Sequence, residues 1–185
     1  TNEIEDVFTR QVVEPNQESQ IKTTLPVLEE ITDEVSSKVR DQYEVSPYPR
    51  WVNTGLRLKP APISKLVEEI KLKLFDNKIT KAEAPNTLIA GCGTGQHSIG
   101  TAARFKGSKI LAIDLSLSSL SYAKRKTEEL GFQNIDYMQA DILNLGNLGR
   151  QFDIVESAGV LHHMDDPVAG WRVLTDCLKP GGLMK

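Results

Sequence analysis

Three glycines stand at alternate positions directly after a short apolar run in the segment LIAGCGTGQHSIG, Leu88 to Gly100. Glycine gives up more backbone freedom on folding than any other residue, so Gly91, Gly93 and Gly95 together predict a tight turn that a ligand approaches closely. Free N–H groups and the helix dipole favour an anionic or hydrogen-bond-accepting group where such a turn leads into a helix. The glycine turn is therefore the first candidate for a binding site.

The spacing of these glycines excludes two common nucleotide motifs. The dinucleotide fingerprint needs glycines at its first, third and sixth positions, but the sixth position is Gln96 when counted from Gly91 and Ser98 when counted from Gly93. A phosphate-binding P-loop needs glycine and lysine where this chain has Gln96 and His97. The turn must hold a different ligand.

Two acidic residues follow predicted strands. Asp114 ends the strand KILAIDL, where a carboxylate can accept hydrogen bonds from both hydroxyls of a ribose. Asp141 follows the strand IDYMQA, and it either contacts the ligand or caps the next segment. Both acids are candidate ligand contacts.

The three histidines differ in their expected roles. His162 and His163 lie where the fourth predicted strand opens into a loop at the carboxyl edge of the sheet, the usual mouth of a site in this fold class. Either is a candidate general base, and a structural role for both stays open. His97, in the first helix, is expected to pack or cap.

The pattern of elements predicts an α/β fold. From Asn86 onward, short apolar strands alternate with helices, which implies parallel pairing through right-handed crossovers and hence a doubly wound sheet. Before it, PISKLVEEIKLKLF predicts a helix with one apolar face over residues 63–74. Residues 1–45 are polar and acidic and are expected to form an appendage outside the core, with Ile31, Val35, Val39 and Tyr43 on one helical face.

Composition restricts the function. The 185 residues carry a formal net charge of −3, without the basic excess typical of nucleic-acid binding. The basic run 124–126 is interpreted as a solvated helix face. Neither a membrane-spanning run nor a signal peptide is present, so a cytoplasmic location without membrane contact is predicted. Cys92 and Cys177 are expected to be reduced, and no metal-ligand spacing occurs.

The pattern GCGTG resembles the first motif of the class I S-adenosylmethionine-dependent methyltransferases, and the resemblance covers roughly residues 86–185. It implies S-adenosyl-L-methionine as the cofactor and a Rossmann-like, mostly parallel sheet with helices on both faces. The segment FDIVESAGVLHHMDDP is similar to the family's stretch along the methionine end of the cofactor. The implied cofactor contacts are Gly91, Cys92, Gly93 and Gly95 in the turn, Asp114 at the ribose, Leu115, Asp141 and Ile142 at the adenine, and Ser157 and Ala158 at the methionine end.

The resemblance implies methyl transfer to an unknown acceptor, with a small molecule favoured and a protein acceptor possible. His162 or His163 would be the base if the acceptor must lose a proton. One departure is Ile89, where most members of the family carry an acid. A non-catalytic cofactor-binding or partner-docking module is therefore the alternative.

The resemblance also divides the chain. Residues 1–59 are predicted to form a helical extension with a proline-rich arm, and residues 60–185 the S-adenosylmethionine-binding domain. The segment QYEVSPYPRW resembles the one that precedes this domain in bacterial proteins where it follows tetratricopeptide repeats. In it, Tyr48, Arg50 and Trp51 could close over a ligand or fasten the arm to the domain.

The ends of the chain suggest a piece of a longer protein. It opens at Thr1 instead of a methionine, and GGLMK begins only the fifth strand of a sheet to which the family adds two more. The expectation is a sheet truncated after the fifth strand, which keeps the cofactor residues, lacks part of the substrate wall and turns over poorly. Self-association through the exposed sheet edge is expected as well.

Overall fold

The computed structural model describes residues 2–56 and 59–185. Its centre is a five-stranded sheet in the order β3-β2-β1-β4-β5, in which every neighbouring pair is parallel. The strands are β1 Asn86–Ala90, β2 Lys109–Asp114, β3 Ile135–Gln139, β4 Phe152–Ser157 and β5 Leu178–Met184. This order confirms the predicted doubly wound α/β fold.

Helices cover both faces of the sheet. The helices of the described residues are α1 Asn2–Phe8, α2 Glu14–Lys22, α3 Glu34–Val45, α4 Ile63–Glu69, α5 Gln96–Arg104, α6 Leu117–Glu129 and α7 Pro167–Asp176. A π-helical turn, Thr9–Val13, joins α1 to α2, and 3-10 segments span Ile79–Lys81, Ile142–Leu148 and Leu161–His163. Helices α4, α5 and α6 pack on one face, and α7 with the segment Ile142–Leu148 packs on the other.

The central strand explains the apolar run before the glycines. Leu88 belongs to the cluster under α7, whereas its neighbour Ile89 belongs to the cluster under α5 and α6. Both side chains are 0 % exposed, as expected for the middle strand of a parallel sheet covered on both sides.

Part of the N-terminal region packs into the core, so the expectation that residues 1–45 lie outside it is wrong for residues such as Leu25 and Ile31, whereas residues 3–8 of α1 are exposed. Leu25 packs in the cluster with Ile89, and α2 lies along α6. Arg125 on α6 is only 7 % exposed and pairs with Glu18 and Glu14, so the predicted solvated basic face is wrong as well. A buried guanidinium needs such partners, because an unpaired charge inside a protein is costly.

The arm that follows α3 is fastened over the glycine turn. Trp51 donates from Nε1 to the carbonyl of Thr94 at 3.0 Å, and its own carbonyl accepts from the Tyr122 hydroxyl. The Thr94 hydroxyl donates to the carbonyl of Pro49 at 2.5 Å. Arg50 pairs with a glutamate of α2 and lies over the Tyr122 ring. Of the two roles left open for this segment, Arg50 and Trp51 therefore perform the fastening.

Two element boundaries differ from expectation. The helix predicted over 63–74 ends at Glu69, because Lys71 adopts a positive φ of 53° and turns the chain away. Leu74 still packs with Ile63, while Ile70 is exposed. Strand β5 already starts at Leu178, three residues before the glycine at which it was expected to begin.

Among the described residues, no helix combines the length and the hydropathy required to cross a bilayer.

The buried arm tryptophan should contribute strongly to stability. Trp51→Ala is expected to lower the free energy of unfolding by about 3 to 5 kcal/mol, since it opens a cavity and breaks the bond to Thr94. Trp171→Ala is the matched control, because Trp171 is 59 % exposed and Trp51 only 7 %; it should change the value by less than about 0.5 kcal/mol. Urea unfolding followed by far-ultraviolet circular dichroism measures both. Equal effects of the two substitutions would contradict this view of the arm.

Candidate cofactor-binding site

The glycine turn between β1 and α5 forms the floor of the site. Gly91, Gly93 and Gly95 have φ values of 72°, 53° and 84°, in the left-handed region that residues with a Cβ rarely adopt. A Cβ on Gly91 would come within 2.2 Å of Val160, and one on Gly95 within 2.6 Å of Ala123. The turn thus brings its backbone amides to the carboxyl end of the sheet.

Asp114 joins this turn to the end of β2. Its Oδ2 accepts from the Gly93 amide at 2.8 Å, and its Oδ1 accepts from the Ser116 amide at 3.0 Å. Burial raises the pKa of Asp114 and the charge of Glu44 adds to the rise, while the bonds from the backbone amides oppose it. The carboxylate is oriented by the backbone and lines the cavity beside the turn.

Asp141 fulfils the capping role that was its alternative. Its Oδ1 accepts from the Leu143 amide at 3.0 Å at the start of the segment Ile142–Leu148. The residue also lines the same cavity as Asp114, together with Leu115 and Ile142. Capping fixes the orientation of the carboxyl group and is compatible with a ligand contact.

The turn and both acids surround a cavity of about 490 Å³, within the range usual for small-molecule sites. One wall comes from α3, whose residues Val35, Val39 and Tyr43 face the cavity, and another comes from Tyr48 and Pro49 of the arm. Tyr48 therefore lies at the site, whereas Arg50 and Trp51 hold the arm. The four-residue step of the α3 side chains is visible in the sequence, but nothing in that pattern identifies what they cover.

Glu44, on the last turn of α3, holds this wall in place. Its Oε2 accepts from the hydroxyl of Ser116 at 2.9 Å and from the amide of Ser118 at 3.1 Å, at the start of α6. Lys22 pairs with the same carboxylate. Burial alone would raise the pKa of Glu44, but the bonds from Lys22 and the two serines outweigh it and lower the pKa.

Most of the predicted site residues line the cavity. They are Gly91, Cys92, Gly93, Asp114, Leu115, Asp141, Ile142, Ala158 and His163. Gly95, Ser157 and His162 are not among its lining residues. Gly95 instead packs its backbone against α6, and the buried hydroxyl of Ser157 has no hydrogen-bond partner among the described residues.

The two candidate bases lie on the 3-10 turn after β4. The rings of His162 and His163 are 4.0 Å apart, and both residues are exposed. Only His163 lines the cavity, next to Met164. The geometry therefore favours His163 over His162 for any contact with a bound molecule.

A buried carboxylate that sequence reasoning missed lies under α5. Glu156 on β4 accepts from His97 Nε2 at 2.8 Å, from the Thr101 hydroxyl at 2.7 Å and from Arg104 at 2.6 Å. Burial raises the pKa of Glu156, but the hydrogen bonds from His97 and Thr101 and the charge of Arg104 outweigh it and bring the pKa to about 2. His97 also lines the cavity, so it does more than the packing or capping expected of it. The available signal was a glutamate inside the apolar strand FDIVESA.

Comparison with known proteins agrees with this architecture. Residues 88–182, just over half of the chain, match a family described as a methyltransferase domain. The ubiquinone biosynthesis O-methyltransferase of Marinobacter nauticus is 31% identical over 151 residues, which are 78% of this chain and 60% of that protein. The enzyme of the same name from Coxiella burnetii is 31% identical over 135 residues, 71% of this chain and 53% of that protein. The chain thus spans little more than half the length of these relatives.

Two solved structures share the fold. PKMT2 from Rickettsia typhi, in complex with AdoHcy, superimposes with a TM-score of 0.56 at 24% identity over 75% of this chain and 26% of that one. Magnesium protoporphyrin IX methyltransferase from Synechocystis, with bound SAH, gives a TM-score of 0.56 at 21% identity over 79% of this chain and 69% of that one. With a parallel five-stranded sheet, a glycine turn at the end of β1 and a family match over residues 88–182, this chain belongs to the methyltransferase domain family.

Proposed function

We propose that this chain binds S-adenosyl-L-methionine and provides the cofactor site of an enzyme that methylates a small molecule. The observation that carries the proposal is the hydrogen bond between Gly93 and Asp114, which holds a carboxylate and a glycine turn together at one edge of the cavity. The glycine spacing fits neither a dinucleotide fingerprint nor a P-loop. The SAH and AdoHcy bound to the two structural neighbours support the same ligand.

The residues present fit this cofactor. Asp114 offers a charged acceptor to the two ribose hydroxyls, and Leu115 beside it supplies an apolar surface for one face of the adenine. Asp141 accepts from the adenine amino group, and the Ile142 amide donates to the ring. The backbone of Gly91 and Gly93 admits the ligand closely, because neither residue carries a side chain.

When bound, the cofactor supplies a sulfonium methyl group for in-line transfer to a nucleophile. The chain's own contribution is to align the reactants and to exclude water, since holding two reactants at near contact supplies much of the acceleration. Val35, Val39 and Met164 give the cavity an apolar wall suited to both tasks. His163 is the candidate base for an acceptor that must lose a proton.

A cavity of about 490 Å³ enclosed by α3 and the arm favours a small acceptor over a folded protein surface.

Association with tetratricopeptide repeats, a cytoplasmic location and self-association through the β5 edge stay predictions.

A non-catalytic cofactor-binding or partner-docking module is the second candidate. Ile89 favours it, because this apolar residue stands where the family resemblance implies an acid.

Binding of the cofactor is the first expected outcome. Titration calorimetry should give saturable heat with S-adenosylmethionine and with S-adenosylhomocysteine, and none with a nicotinamide dinucleotide, because the turn lacks the dinucleotide spacing. Heat from the dinucleotide alone would refute the proposal.

Loss of the ribose acceptor should weaken this binding. Asp114→Ala is expected to cost roughly 1.5 to 3 kcal/mol of binding free energy, since it removes a charged acceptor for two hydroxyls. Asp136→Ala is the matched control, because Asp136 is an exposed aspartate on β3. Calorimetry measures both, with thermal unfolding recorded to show that each variant is folded. Unchanged affinity in folded Asp114→Ala would show that the ribose lies elsewhere.

Methyl transfer separates the two candidate functions. With S-adenosylmethionine labelled in its methyl group and a small-molecule extract, an enzyme should yield a labelled product that Asp114→Ala reduces in proportion to its lost affinity. Tight cofactor binding without any labelled product would support the non-catalytic module.

A further inference from the structure

Glu156 is a charged group in the interior of the sheet. Its side chain is 3% exposed, and its strong depression in pKa means that it is ionised at neutral pH. Burying a carboxylate is costly unless donors satisfy it, and three donors from α5 do so: His97, Thr101 and Arg104. Of these three, only His97 also lines the cavity.

The Glu156 carboxylate determines which tautomer the His97 ring adopts. An ionised carboxylate only accepts hydrogen bonds, so the proton must lie on His97 Nε2, which donates to Glu156. In the neutral ring the lone pair is then on Nδ1, and no partner for Nδ1 occurs within residues 2–56 and 59–185. A carboxylate behind an imidazole fixes its tautomer in this way. The side chain, 25% exposed, therefore offers an acceptor at the cavity.

The sheet order shows which end of the proposed cofactor would lie near Nδ1 of His97. Asp114 and Asp141 follow β2 and β3, on one side of the central strand β1. Glu156 belongs to β4, on the other side, where it stands beside Ile89 in register. A ligand with its ribose at Asp114 and its adenine toward Asp141 extends its remaining part toward β4, and so toward His97.

We propose that His97, oriented by Glu156, accepts a hydrogen bond from the α-ammonium group of the cofactor's methionine part. This proposal rests on the proposed function. Glu156 on β4 thus influences the ligand only through the His97 ring. Its neighbour in register on β1 is the apolar Ile89, which offers no such charge. His97 is the contacting residue, and Glu156 is a positioning residue.

Three probes that differ only at this end of the ligand test the proposal by calorimetry. They are S-adenosylhomocysteine, its analogue without the α-amino group, and 5′-methylthioadenosine, which lacks the whole amino-acid part. The unmodified chain should prefer S-adenosylhomocysteine over the deamino analogue by about tenfold or more, as expected for a hydrogen bond to a charged group. His97→Ala should abolish this preference and leave the affinities for the other two probes unchanged.

Two further variants separate contact from structure. Thr101→Val removes another bond to the same carboxylate, but Thr101 does not line the cavity. It should lower the melting temperature and keep the preference for the amino group. Glu156→Gln removes the charge that orients His97 and should reduce the preference, without changing the affinity for 5′-methylthioadenosine.

Other outcomes overturn the proposal in distinguishable ways. Equal weakening of all three probes by His97→Ala would assign the residue a structural role only. If His97→Ala weakened the binding of S-adenosylhomocysteine and of its deamino analogue, but not of 5′-methylthioadenosine, His97 would contact the carboxylate of the ligand instead. Retention of the amino-group preference in His97→Ala would refute this contact and leave the proposed function standing. Failure of the unmodified chain to bind any of the three probes would refute both.

Discussion

The hydrogen bond from the Gly93 amide to Asp114 Oδ2 connects the two strands on which the candidate site is built. It forms because the parallel register brings Ala90 beside Ile113, so that the chain leaves β1 at the level where β2 ends. The carbonyl of Ile113 then accepts from both Gly91 and Cys92 at 2.9 Å. The left-handed φ values of the glycines shape this turn, and at this edge of the sheet the cavity is lined by the backbone of the turn and by the oriented carboxylate of Asp114.

The N-terminal segment completes this cavity from residues far away in sequence. Glu18 on α2 binds the buried Arg125, and Glu44 on α3 binds the first turn of α6. These charged contacts hold α2 and α3 on α6, the helix that follows Asp114 along the chain. Glu44, which attaches α3 to α6, is therefore separate from the α3 side chains that face the cavity, so substitutions in this wall leave its attachment in place.

Local patterns allowed the sheet and most residues of the candidate cavity to be predicted. Alternating strands and helices indicate a parallel sheet, and the glycine spacing with Asp114 indicates the edge at which the cavity lies, because these signals lie within single segments. Contacts between distant segments could not be predicted in the same way. The sequence predicts a solvated Arg125, because its partner Glu18 is far away along the chain. A glutamate in an apolar strand is likewise unexplained until the fold brings the donors of α5 to Glu156. His97 shows the same limit, since its position on α5 reveals neither the carboxylate behind it nor the cavity beside it.

A crystal structure of the chain with bound S-adenosylhomocysteine would show whether the ligand binds between the glycine turn and Asp114. We expect both ribose hydroxyls at about 2.5 to 3.0 Å from the carboxylate oxygens of Asp114, with the adenine against Leu115 and the amino-acid part over the glycine turn. A ligand bound outside this cavity, or a ribose that makes no contact with Asp114, would contradict this expectation.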